Sequence, residues 1–280
     1  MDSWKTKLIP HLIALAAFFA VTLIFCGPAF SGKSIKAHDT SMHKGLVKEI
    51  ADHREAFQEE PLWTNSVFGG MPAFQISVLY PKNLIKSLDR LPSNIGLPAS
   101  AAQILKFLIG FYILLMALKV PFKFAIGGAI AFALSSYFLI ILEAGHNTKA
   151  TAIAYVAPSL AGILLTYRGK YLLGGALTAL FFALNLVANH VQITYYMGMS
   201  LFIFGVIEVG RAILQKNIAS VVKPTFITLS ALLLALLVNN TNLRLTADYV
   251  KDTQRGKSEL AIKARQKKEK AESAERKRKE

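Results

Sequence analysis

Cysteine is nearly missing from this chain. Cys26 is the only one in 280 residues, which excludes a disulfide framework and any paired-cysteine metal site. Acidic side chains are scarce as well, 17 Asp and Glu against 32 Lys and Arg. No glycine-rich phosphate loop opens a helix and no His-Glu-x-x-His occurs, so those two routes to phosphate and zinc chemistry are closed. Long polar stretches are few, because 53% of the residues are hydrophobic. That is too apolar for an ordinary soluble domain, and several runs reach the roughly 20 residues that a helix needs to cross a bilayer. The sequence predicts an all-α, polytopic membrane helical bundle. The net charge of +15 suits a nucleic-acid binder in isolation, but excess Lys and Arg orient membrane helices and much of it sits in one terminal run. Nucleic acid is therefore not an expected partner.

Lys5 and Lys7 precede an apolar run from Leu8 to Phe30, longer than a signal-peptide core, so an uncleaved first span is expected. Six more spans follow at about Ala101–Leu118, Phe122–Leu142, Thr151–Tyr167, Tyr171–Val187, Ile193–Leu214 and Pro224–Val238, seven in all. Residues 1–250 make one transmembrane module with a first outer loop over 31–100. Residues 251–280 make a charged tail, in which Lys263–Glu280 has no apolar face and reads as solvated helix or disorder. That basic run also suits anionic headgroups.

Between the first and second spans lies the one long polar interval. Thr40–Phe57 reads as an amphipathic interfacial helix with Met42, Leu46, Ile50 and Phe57 on one face. Pro61–Phe74, with Gly69-Gly70, Trp63 and Phe68, reads as a defined irregular loop at headgroup depth. Leu79–Leu91 reads as a second short interfacial helix, with Pro92 after it. Asp39 stands just before the first of these helices, either as a helix N-cap or as a reactive carboxylate.

The loops alternate in chemistry. Lys119…Lys123, Arg168-Gly169-Lys170 and Arg211…Lys216…Lys223 are basic, whereas Glu143–Lys149 and Asn189–Gln192 are mixed or neutral. By the positive-inside rule the basic set and the N-terminus are cytoplasmic. Three polar segments then meet on the outer face: His38-Asp39, the run from Glu143 through His146, Asn147 and Lys149, and the run from Asn189 through His190 and Gln192. Short loops need polar residues to cap helix ends, but a carboxylate and a cation at one depth favour a site for a charged, lipid-linked ligand. Asp39 with His43, and Glu49 with His53, are spaced i, i+4, which leaves open a divalent cation such as Mg or Mn.

Taken together, Lys36–Thr40, Pro61-Leu62-Trp63 with Phe68-Gly69-Gly70-Met71-Pro72, Glu143–Lys149, Tyr167–Gly175 and Asn189–Tyr196 resemble the bacterial YfhO membrane-protein family over roughly residues 1–260. The resemblance matches the N-terminal part of the longer chains of that family. It implies a GT-C-like module in the bacterial inner membrane, a glycosyltransferase that takes a sugar from a polyprenyl-phosphate donor to a cell-envelope glycopolymer acceptor on the extracytoplasmic face. The resemblance also implies that the acidic residue of the first outer loop, here Asp39, is the catalytic base or a metal ligand. His38, His146, Asn147, Lys149, His190, Gln192 and Arg255 are the expected substrate contacts, with Lys149, His146 and Arg255 nearest the phosphate. The alternative is a non-catalytic membrane protein, a carrier or flippase for lipid-linked substrates or an assembly scaffold. A carrier would place polar residues at mid-membrane in broken helices, whereas the polar residues here cluster at span ends, with Glu208 the main exception.

Overall fold

The computed structural model describes residues 3–77, 83–251 and 253. The fold is almost entirely helical. The first apolar run forms α1 (Ser3–Phe25) and a single turn, α2 (Gly27–Phe30), separated at Cys26. The expected interfacial helix is two helices, α3 (His38–Leu46) and α4 (Lys48–Phe57), hinged at Val47. Gly45 and β-branched Val47 are poor helix formers, which accounts for the break. Of the predicted apolar face only Ile50 is buried; Met42, Leu46 and Phe57 are exposed.

The following loop is more regular than expected. β1 (Trp63–Thr64) and β2 (Met71–Pro72) pair antiparallel, Trp63 opposite Pro72. Gly69 and Gly70 both take positive φ in the connection, and a Cβ on Gly70 would stand 2.7 Å from Trp63 Nε1, so the indole lies against a position that only glycine can fill. Glu49 of α4 fastens this loop, accepting from Thr64 Oγ1, from the Asn65 amide at 3.0 Å and from the Ser66 amide at 2.9 Å. The Thr64 hydroxyl, with the two amides, holds the Glu49 carboxyl below its usual range. A further turn, α5 (Ala73–Ile76), follows.

The second interfacial helix is α6 (Leu84–Asn94), capped by Asn83, whose side chain accepts from the Ile85 amide. It carries Pro92 inside its last turn rather than after it. The predicted start at Leu79 lies outside the described residues.

Seven long helical segments complete the bundle: α7 (Ala99–Ala117), α8 (Phe122–Ala133), α9 (Ser136–Ala144), α10 (Asn147–Ala154) running on into α11 (Val156–Tyr167), α12 (Tyr171–Val187), α13 (Val191–Leu214) and α14 (Ala219–Val238). Among the described residues, five helices are long and apolar enough to cross a membrane: Leu8–Phe25, Ala99–Ala117, Asn147–Tyr167, Val191–Leu214 and Ala219–Val238. A sixth is added if α8 and α9, bent by 41° at Leu134-Ser135, form one broken span. That bend replaces the single straight run expected over Phe122–Leu142. The 17 residues of α12 span about 25 Å at the helical rise, slightly less than a hydrocarbon core.

The core lies among α1, α7, α8, α9 and the α10–α11 rod. Phe18, Phe107, Leu108 and Ile104 are buried there, and Phe107 stacks on Phe138 with centroids 4.3 Å apart. Helix α11 meets α12 through small residues. A Cβ on Gly162 would stand 2.6 Å from the Thr178 amide, and Gly174 faces Thr166 as tightly. Such Gly-x-x-x-Thr pairs let two backbones approach where lipid supplies no hydrophobic drive. α13 and the first span are the least buried, and on α13 and α14 Phe202, Ile203, Ile207, Phe226 and Leu229 face outward.

A second unit begins at Asn240. Within it α15 (Asn240–Val250) carries an ion pair between Asp248 and Lys251 at 2.7 Å. The tail after residue 253, with the expected contact Arg255 and the Lys263–Glu280 run, lies outside the described residues.

Candidate functional site

Helix directions gather the polar segments at one end of the bundle. At the other end, Arg168 donates to the Ala117 carbonyl, Tyr167 and Thr225 share a hydrogen bond of 2.7 Å, and Lys223 lies 4.3 Å from the Tyr171 ring. These contacts put the basic loops 119–123, 168–170 and 216–223 on the same side, as the alternation of charge predicts.

The opposite end is built on the turn at Gly145. Helix α9 closes in a left-handed residue, Gly145 at φ 94°, whose amide bonds to the Leu142 carbonyl, while the His146 amide bonds to Ile141. This is the usual way glycine ends a helix and turns the chain sharply. The next helix starts at once, with His146 at its N-cap position. Because Gly145 has no side chain, the first turn of α3 docks against it: a Cβ there would be 2.9 Å from the Thr40 amide and hydroxyl and 3.1 Å from the Ala37 Cβ.

That docking brings two loops into contact. His146 Nδ1 stands 3.2 Å from Asp39 Oδ2, both side chains about half exposed at 48%. Asn147 Nδ2 donates to Thr40 Oγ1 at 3.3 Å. The N-cap of α3 is Ala37, and Asp39 lies inside the first turn. Its carboxylate therefore suits the positive end of the helix without serving as the cap.

The third segment joins from the α12–α13 connection. Thr148 Oγ1 and His190 Nδ1 are 3.5 Å apart, and Lys149 Nζ lies 5.4 Å from the Tyr137 ring centroid. Burial first, then the charges of Lys149 and His146, hold the His190 imidazole below its usual range, so it is neutral at physiological pH. Buried Asn185 fixes this corner, donating to the Ala152 carbonyl at 2.8 Å and accepting from Thr194 at 2.7 Å.

The structure thus gathers Asp39, His146, Asn147, Lys149 and His190, and adds Thr40, Thr148 and Asn185. Two expected contacts stand apart. His38 opens α3 with an exposed ring outside this set of contacts, and Gln192 donates to Tyr196 one turn along its own helix at 2.8 Å. Neither i, i+4 pair builds a metal site: Glu49 is engaged by its loop, and no group of three or more His, Cys, Asp or Glu is placed to hold an ion among the described residues.

Between the segments that lead into Asp39 and His146 is an apolar cavity of about 300 Å³ lined by Phe25, Ile35, Ile104, Leu139 and Leu142, with Lys33 also in the lining. Leu142 precedes His146 by four residues, with the Gly145 turn between them. The cavity is large enough for a short length of hydrocarbon chain.

A buried charge cluster escaped the sequence reading. Asp89 of α6, 7% exposed, accepts from Lys106 of α7 at 2.6 Å and from Tyr155 Oη at 2.8 Å, with Lys86 at 3.7 Å. Burial pushes its carboxyl up, but Lys106 and Lys86 together with the Tyr155 hydrogen bond outweigh that and hold it below its usual range. The signal was available: a lone lysine inside an apolar span needs a counter-charge. The cluster clamps α6 onto the bundle.

Compared with family models, with curated proteins and with solved structures, the chain finds no match.

Proposed function

We propose that this chain is the transmembrane module of a GT-C-like glycosyltransferase, which transfers a sugar from a polyprenyl-phosphate donor to an envelope glycopolymer acceptor. The observation that carries the reading is the Asp39–His146 pair at the polar end of the bundle, with an apolar cavity lined in part by Lys33, Ile35 and Leu142 from the segments that lead into it. A polyprenyl chain needs an apolar berth, its phosphate needs cations, and the acceptor needs a base within reach of both.

In this reading Asp39 accepts the proton of the acceptor hydroxyl as that oxygen bonds to the anomeric carbon. The bond from that carbon to the phosphate oxygen breaks, and polyprenyl phosphate leaves with the electron pair. His146 orients the carboxylate through Oδ2. Lys149 and Lys33 offset the negative charge that gathers on the phosphate. The basic end and the N-terminus lie in the cytoplasm, α12 and the bent α8–α9 pair bring the crossings to seven, and the site opens outward. The resemblance to the YfhO family points the same way. A carrier fits less well, because the one broken span among the described residues has only Ser135 and Ser136 as polar groups at its break.

Asp39→Asn keeps the side chain's size and an oxygen for His146 but removes the base. With protein levels matched, transfer of sugar from a polyprenyl-phosphate donor should fall by about 10²–10⁴-fold, the usual effect of losing a general base. Near-normal sugar content of the envelope polymer, measured by mass spectrometry, would sink the catalytic assignment.

A further inference from the structure

At the basic end, α11, α13 and α14 part around a second cavity, of about 330 Å³. Its floor is Tyr167, edge-on to Phe204 with centroids 5.1 Å apart and hydrogen-bonded to Thr225. Its walls carry Arg168, Arg211, Glu208, Gln215 and Ser220. Glu208 is paired to Arg211 Nη1 at 2.8 Å, and Arg168 spends one Nη1 hydrogen bond on the Ala117 carbonyl. Each guanidinium keeps further N–H groups beyond those bonds. Two arginines against one carboxylate leave the lining with a net positive charge, and Lys170, Lys216 and Lys223 lie nearby in the chain. A mostly polar hollow at the end of apolar helices costs stability unless it is filled by water or a ligand.

We propose that this cleft binds a phosphate group, supplied by the headgroup of an anionic phospholipid in the leaflet on the basic side. The guanidinium fork matches a phosphate in shape and charge. The lipid source is favoured by the flank of the cleft: on α13, Ile203 and Ile207, two turns and one turn before Arg211, are exposed, and acyl chains descending from a headgroup seated at Arg211 would lie against them. A soluble phosphate has no use for that flank. Glu208 holds Arg211 in place and disfavours a second anion, so the site takes one phosphate.

The test is native mass spectrometry of the whole protein in detergent, titrated separately with phosphatidylglycerol, phosphatidylcholine and inorganic phosphate. Phosphatidylglycerol should bind at least about tenfold more tightly than phosphatidylcholine, the scale of one charged hydrogen bond. Arg211→Gln should remove most of that preference. Gln215→Glu, which breaks no side-chain hydrogen bond and adds a negative charge to the wall, should do the same in a protein of unchanged helical content. Equal affinity for the two lipids, or a preference that survives both substitutions, overturns the site. If inorganic phosphate alone binds as tightly as phosphatidylglycerol, the lipid assignment is overturned. The outcome is independent of sugar transfer at the other end.

Discussion

Gly145 stands so close to Thr40 that a single added methyl group would meet both its amide and its hydroxyl at 2.9 Å. This contact seats α3 on the end of α9 and thereby sets Asp39 beside His146. Gly145→Ala should strain the left-handed turn by about 1–2 kcal/mol and push α3 away. Hydrogen exchange of the α3 amides should accelerate more than that of the α7 amides. Unchanged protection in α3 would mean that the helix is held by other contacts.

Asp89 shares its carboxylate between Lys106 and Tyr155 beneath α6. Asp89→Asn leaves the buried Lys106 without its counter-charge, and breaking such a pair costs about 3–5 kcal/mol. The double substitution Asp89→Leu with Lys106→Met removes both charges and should recover most of the loss. Thermal unfolding in detergent distinguishes the cases, and a double variant no more stable than Asp89→Asn would show that the pair is not the clamp.

His190 supplies a pH dependence. Burial, Lys149 and His146 hold its imidazole below the ordinary value, so the unfolded chain takes up that proton more readily than the folded one. Stability from this source is intact above about pH 6.5 and declines as the pH falls through the ordinary value toward the lowered one. His190→Gln should flatten that decline. Melting temperatures at about pH 7.5 and about pH 5.5 that drop equally in both proteins would exclude His190 as its cause.

The sidedness of the bundle is open to chemical labelling. In a Cys26→Ser background, Asn147→Cys and Lys170→Cys should react with an impermeant maleimide from opposite faces of the membrane. Asn147 opens the α10–α11 rod and Lys170 follows its far end, so the two positions stand at opposite ends of the bundle. Labelling of both from one face would refute the shared outer site and the orientation together.

The sequence by itself determined the all-helical class, most of the apolar runs (five of the seven expected spans are long enough to cross, six if α8 and α9 are one broken span) and the gathering of polar segments at one end. In lipid every backbone group must bond within its own helix, so composition alone marks the spans, and the alternation of basic loops sorts the connections between the two ends. The tertiary structure decided which side chains meet. His146 turns to Asp39 while Gln192 turns to its own helix. Glu49, spaced for a metal with His53, instead clasps the loop at Thr64–Ser66, and Asp89 is buried under Lys106. The 41° bend at Leu134-Ser135 was equally hidden, since no proline or glycine marks it. These spans are apolar all round, so their pattern carries little information about how each helix is rotated, and a rotation of one residue swings a side chain by about 100°. Rotation was fixed instead by close contacts such as Gly162 with Thr178 and Gly145 with Thr40, which exist only once the helices are packed.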